Sequence, residues 1–119
     1  AVEICDFLRG KSLNKAKTQL NQIIEHDIAL PIRRFKKGST SHRKGMGQGR
    51  YPEKASRIVL ELLNSVEKNA KFKGYNTDKL IIMHMCSNKA AGRMRYSRRG
   101  MRLMKRSNIE IMVSEKKND

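Results

Sequence analysis

Acidic residues are missing from two long internal stretches of this 119-residue chain: none occurs from Ile28 to Pro52, and none from Lys79 to Ile109. With no carboxylate, neither window can supply a general acid, a general base or a Mg²⁺ ligand, which argues against a nuclease or polymerase. Cysteine is scarce, and Cys5 and Cys86 lie far apart. With no secretory signal visible, both are expected as reduced core thiols rather than as a disulfide. No run of 18 apolar residues occurs, so no helix is expected to span a membrane. Internal repeats are absent too. One domain over residues 1–119 with a modest core is expected at this length. An apolar content of 38%, arranged in periodic segments, excludes a wholly disordered chain.

Positive charge fills the windows that lack acids. The first holds Arg33, Arg34, Lys36, Lys37, Arg43, Lys44 and Arg50. The second holds Lys79, Lys89, Arg93, Arg95, Arg98, Arg99, Arg102, Lys105 and Arg106. These two groups account for the whole formal net charge of +16, because the remaining eleven basic and eleven acidic residues cancel. The chain is a neutral body with two cationic extensions. Like charges held together repel, and blocks tethered at both ends are poor candidates for solvated tails. A polyanion supplies the missing counter-charge, and release of its counterions drives the association.

Val2, Cys5 and Leu8 lie at helical spacing, with Gly10 where a C-terminal cap belongs. Ser12 is placed to cap a second helix whose apolar stripe is Leu13, Ala16, Leu20, Ile23 and Ile24. The two read as a helical hairpin. Residues 28–51 are rich in Gly, Ser and Thr and show neither helical nor strand periodicity, so they read as a long basic loop. Loops beyond about 15 residues are usually functional or disordered. Pro52 suits the first position of the next helix, and Glu53 its dipole. Ala55, Ile58, Val59, Leu62, Leu63, Val66 and Ala70 then recur at three- and four-residue steps until Gly74, marking the main core helix.

Lys79 to Cys86 is too short and β-rich for a helix and reads as a buried strand. Asn108 to Val113 alternates Ile109, Ile111 and Val113 against Glu110 and Met112, the pattern of a half-buried strand. Two strands alone are marginal in water. Helices covering one face, or a third strand ahead of Ala1, are therefore expected. The fold class is α/β of the α+β kind: three helices packed on a small antiparallel sheet with a long protruding β-hairpin.

Asn88 to Asn108 would form that projection. Gly100, closing Ser97-Arg98-Arg99-Gly100, sits where a tight turn needs a positive φ. Ten residues per arm at about 3.3 Å each extend roughly 33 Å. A body of about 90 residues has a radius of gyration near 12 Å, so the arm projects well past it. Met94, Tyr96, Met101, Leu103 and Met104 are interleaved with arginines, and no consistent apolar face is expected. The partner must then accept both faces, as folded nucleic acid does. Arginine offers forked donors to phosphates and stacks on bases, and Tyr96 offers a π-face.

The glycines of "GMGQGR", Gly45 to Arg50, lack the Gly-Lys-Ser/Thr ending and the preceding strand of a nucleotide-binding loop. A helix N-terminus approached by these glycines and Arg50 can instead hold an RNA phosphate. His84 and Cys86 lie two apart on one strand face, but no second pair stands at zinc spacing, so a core or cross-strand role and no metal are expected. His42 among cations reads as an RNA contact rather than a general base. The cations fall outside the helices, contrary to a membrane-surface helix.

The stretch "GQGRYPEKASRIVLELLNSVEKNAKFKGYNTDKLIIMHMCSNKAAGRMRYSRRG" resembles the large-subunit ribosomal protein family L-twenty-two, L-seventeen in eukaryotic naming. "LRGKSLNKAKTQLNQII" looks like the family's helix pair and "IEIMVSEKK" like its closing strand. The most specific pieces are Gln48-Gly49-Arg50 leading into Pro52, Asn69-Ala70 with Lys73-Gly74, Asn88-Lys89-Ala90 and Ile109-Glu110-Ile111. The long basic loop is similar to archaeal and eukaryotic members. Family members usually have a strand and a basic extension before the first helix. Here the return limb after Gly100 looks a few residues shorter than in other eukaryotic members.

The resemblance implies a domain on the ribosome surface whose hairpin threads through ribosomal RNA, with its tip lining the nascent-peptide exit tunnel. Carried over, the hairpin is residues 88–108, and the tip is Arg95, Tyr96, Ser97, Arg98, Arg99, Gly100 and Met101. The implied RNA ligands are the basic residues of residues 33–50 and 89–106 together with His42, Gln48, Asn88 and Tyr96. The implied partners are large-subunit ribosomal RNA, neighbouring large-subunit proteins and the nascent polypeptide. The implied setting is the cytoplasmic ribosome, with no cofactor, no catalysis and no membrane. A free nucleic-acid-binding or RNA chaperone protein is the alternative reading.

Overall fold

The computed structural model describes residues 1–34 and 41–116; Lys36 and Lys37 lie outside them. Helices α1 (Val2–Leu8) and α2 (Leu13–Ile24) form the expected helical hairpin. Gly10 takes φ +80° at their junction, a left-handed conformation that glycine adopts without a steric cost. Ser12 occupies the N-cap position of α2, but its side chain makes no capping hydrogen bond. The backbone just before it pairs with the hairpin instead. Gly10 N–H donates to the Ile82 carbonyl at 2.9 Å, and Ile82 N–H donates to the Lys11 carbonyl at 3.0 Å. The linker is thus stitched to the edge of the main sheet.

Helix α3 (Glu53–Phe72) carries the core stripe. Its Val59, Leu63 and Ala70 are buried against Leu13, Ala16, Leu20 and Ile23 of α2, closing one apolar cluster with Ile4 and Leu8. Pro52 stands one place earlier than expected, at the N-cap, where its carbonyl accepts from Ser56 N–H. Ile58 belongs to the same sequence stripe yet is 53% exposed, because the apolar arc is wider than the surface α2 can cover. The helix ends in a Schellman arrangement: Gly74 N–H donates to Lys71 and Tyr75 N–H to Ala70, with Gly74 at φ +80°.

The described residues within 28–51 hold three short strands where a loop was expected. Strands β1 (Leu30–Pro31), β2 (His42–Arg43) and β3 (Gly47–Arg50) form a small antiparallel sheet in the order β1-β3-β2. Strands of two to four residues are too short to show a period of two, so no alternation announces them. The glycines do structural duty. A β-carbon at Gly49 would stand 3.0 Å from Ala29 Cβ and 3.1 Å from Arg43 Cγ, so only glycine lets β3 pack this closely.

Strands β4 (Leu80–Ser97) and β5 (Gly100–Glu115) make one continuous antiparallel hairpin. At its root Leu80, Ile82 and Met85 are buried, and Ile109, Ile111 and Val113 pack on the same core. Arg9 ties α1 to this root: its Nη2 donates to the Met85 carbonyl at 2.7 Å. The hairpin makes the molecule elongated, 58 × 36 × 22 Å, with a radius of gyration of 16.7 Å. A compact chain of this length would have about 13.5 Å. None of the described helices is long and apolar enough to cross a membrane.

Candidate nucleic-acid interface

Directly opposed residues of an antiparallel pair share a face, so the hairpin register decides which side chains act together. Towards the tip Arg93 pairs with Met104 and Arg95 with Arg102; Met94 pairs with Leu103 and Tyr96 with Met101. One face therefore presents Arg93, Arg95 and Arg102. The other presents Met94, Tyr96, Met101 and Leu103, all more than half exposed. The expectation that the arm has no consistent apolar face is corrected here. A bulge between Ala90 and Arg93 interrupts the alternation along β4, and Met104 falls on the arginine face opposite Arg93; the register still gathers the other four apolar side chains on one face.

Arg95 and Arg102 stand directly opposite each other, where like charges destabilise a ladder. Arg98 and Arg99 occupy the two-residue turn, closed by the Ser97 hydroxyl donating to the Gly100 carbonyl and by Gly100 at φ +113°. Lys89, Lys105 and Arg106 are exposed further down the arm. Asn88 is exposed as well, but its amide Nδ2 donates to Glu110 Oε1 at 3.2 Å.

The first basic window is divided in its use. Arg33, His42, Lys44 and Arg50 are exposed. Arg34 is committed to α1: its N–H donates to Glu3 Oε1 at 2.7 Å, and its guanidinium sits 3.2 Å from Asp6 Oδ2. Arg43 lies over the Tyr51 ring, 5.2 Å from its centroid, and His26 stacks on Tyr51 at 4.6 Å. His26 Nε2 is 2.6 Å from Glu53 Oε1, which fastens the pile to the start of α3. Gln48 turns inward, its Oε1 enclosed and without a partner among the described residues. Sequence reasoning missed the Arg43–Tyr51–His26 pile because its members come from three separate segments.

His84 and Cys86 also have a neighbour that their spacing did not reveal. Cys86 pairs across the hairpin with Glu110, and the ligand atoms of His84, Cys86 and Glu110 all lie within 4.8 Å of one another. The third donor arrives from the facing strand, not from a second pair further along the chain.

Comparison with known proteins agrees with this architecture. The family model for ribosomal protein L22p/L17e matches residues 1–114. The chain is similar to the large ribosomal subunit protein uL22 of Thermoplasma volcanium, 43% identical over 122 residues that cover 97% of this chain and 80% of that protein. It is likewise 43% identical to the protein of that name from Thermoplasma acidophilum, covering 97% and 79%. The corresponding Picrophilus torridus protein is 41% identical, with the same two shares. Helix pair and core helix fall within the matched residues, as does the hairpin except for Glu115, the last residue of β5. The chain belongs to the ribosomal protein L22p/L17e family.

Proposed function

We propose that this protein is a structural constituent of the large ribosomal subunit, not an enzyme, and that it organises ribosomal RNA through its two cationic extensions. The observation that carries the reading is the pairing of Arg95 with Arg102 on one exposed face. Held against each other in water these guanidinium groups repel; an RNA phosphate between them removes the repulsion and accepts forked hydrogen bonds from both. Arg93, Arg98, Arg99, Lys105 and Arg106 extend the same cationic field along the arm. Lys89 begins it at the root. At the other end of the molecule, Arg33, His42, Arg43, Lys44 and Arg50 supply a second contact region beside the start of α3. In this reading Lys36 and Lys37 are RNA ligands too, while Arg34 holds local structure against α1 and Asn88 holds Glu110 in the hairpin.

The opposite face of the tip gives the arm its direction. Met94, Tyr96, Met101 and Leu103 form an uncharged surface suited to a passing polypeptide, whereas the arginine face suits RNA. The tip, Arg95 to Met101, then lines the nascent-peptide exit tunnel with RNA behind it. Neighbouring large-subunit proteins complete the setting, in the cytoplasmic ribosome.

Site-specific photo-crosslinking in large subunits and in stalled translating ribosomes tests both parts. Probes at Arg102 should capture one defined ribosomal RNA segment, and probes at Met101 should capture the nascent chain. A protein absent from large subunits, or crosslinks scattered over many RNAs as for a free RNA chaperone, would overturn the proposal.

A further inference from the structure

We propose that His84, Cys86 and Glu110 bind a single Zn²⁺ ion at the root of the hairpin. The bulge between Ile82 and His84 creates the site. Ile82 faces the core, and in a regular strand His84, two residues on, would face it too; here Met83 is the extra residue of the bulge. The insertion turns His84 and Cys86 outward together, onto the face where β5 offers Glu110.

The distances fit the ion. Cys86 Sγ and Glu110 Oε2 are 3.6 Å apart. In tetrahedral zinc, with Zn–S about 2.3 Å and Zn–O about 2.1 Å, sulfur and oxygen are separated by about 3.6 Å. Two donors already stand at the edge length of the coordination tetrahedron. The imidazole nitrogen, within 4.8 Å of both, needs to close to about 3.5 Å. His84 is exposed, so its ring can rotate inward without disturbing the core. Asn88 Nδ2 holds Oε1 of Glu110 at 3.2 Å and leaves Oε2 to the metal.

Donor chemistry selects the metal. Thiolate, imidazole and carboxylate together suit borderline Zn²⁺, whereas Mg²⁺ and Ca²⁺ require oxygen donors. Thiolate and carboxylate supply two negative charges against the two of the ion, which matters in a chain carrying +16. On binding, the Cys86 thiol gives its proton to solvent and the S–Zn bond forms, with no change of oxidation state. His84 and Glu110 are exposed and Cys86 is half-buried, so the fourth position is open to water. The ion would clamp β4 to β5 just below Lys89, where the basic arm begins.

Cobalt titration of the full chain, with its thiols reduced, decides the matter. One equivalent of Co²⁺ should give the thiolate-to-cobalt charge-transfer band and the visible bands of a tetrahedral site, both bleached by Zn²⁺. Cys86→Ser should remove the charge-transfer band, and His84→Ala and Glu110→Gln should each weaken binding at least about tenfold. Cys5→Ala should keep the band. Circular dichroism establishes that each variant is folded. If a variant fails to fold, the band of the parent chain and its response to the remaining variants decide. No charge-transfer band in the folded, reduced parent, or a band that survives Cys86→Ser, would overturn the proposal and leave a plain thiol-to-carboxylate hydrogen bond.

Discussion

Leu103 of β5 lies across Gly92 of β4: a β-carbon at position 92 would stand 2.7 Å from Leu103 Cδ1 and 2.9 Å from its Cγ. The close approach falls at the second bulge of the hairpin, where Ala90 pairs with Arg106 and Arg93 with Met104. Gly92→Ala must displace Leu103, which is 65% exposed and free to swing outward. The cost should therefore fall at or below about 1 kcal/mol, the low end for overpacking. Methyl NMR should show Leu103 shifted in Gly92→Ala, and the double change with Leu103→Ala should recover stability. Unmoved Leu103 methyl signals would contradict the close approach.

The Arg95–Arg102 pair predicts opposite effects on the free and the bound protein. Arg95→Glu turns a repulsive cross-strand pair into an attractive one, worth roughly 0.2–1 kcal/mol to the free hairpin. Amide exchange in the arm should slow. RNA affinity should fall at the same time, with the salt slope reduced by about 0.7–0.9 for each phosphate that is no longer neutralised. Tighter RNA binding by this variant would refute the assignment of the arginine face to RNA.

Ser56 is fully buried in α3, and its hydroxyl has no partner among the described residues. An unpaired buried hydroxyl costs about 1–3 kcal/mol of desolvation, and alanine is the better helix former. Ser56→Ala should leave stability unchanged or raise it by about 1 kcal/mol in urea unfolding. A decrease of about 2 kcal/mol or more would show that the hydroxyl is bonded in solution.

Burial pushes the Cys5 thiol above its usual range, with Cys86 and Asp6 adding in the same direction against the opposing pull of the N-terminal amine and Arg9. Its folded-state pKa is thus raised, so the folded protein holds this proton at pH values where the unfolded chain has released it. The contribution is fully present below the usual thiol value and is lost as pH rises above it, by up to about 1.4 kcal/mol per unit. Denaturant midpoints from about pH 8 upward should fall more steeply for the parent than for Cys5→Ala. Equal slopes would place the thiol outside the core.

Much of the fold was legible because its signals are local. Gly10 and Gly74 mark helix ends through a left-handed φ that few other residues tolerate. Leu20, Ile23, Val59 and Leu63 repeat at the helical period that buries one face. Their pattern announces α2 and α3 before any tertiary packing is known. The small β1-β3-β2 sheet was not legible. Leu30–Pro31 and His42–Arg43 are too short for a period, and Gly49 reveals its role only once Ala29 and Arg43 close around it. The ion pair of Arg34 with Asp6 was likewise not legible, since the two residues lie 28 positions apart in the chain.

What the sequence by itself determined is where charge and apolar surface reside along the chain: a neutral helical core, and a run from Asn88 to Asn108 with eight cations and no acid. Tertiary structure alone decided which of those side chains stand together. Met94 and Tyr96 join Met101 and Leu103 on one face, Arg95 meets Arg102 on the other, and Glu110 reaches Cys86, because strand register is a relation between two segments. Periodicity describes one strand at a time; the bulges at Met83 and near Gly92 set how the two strands face each other, and with that the chemistry each face presents.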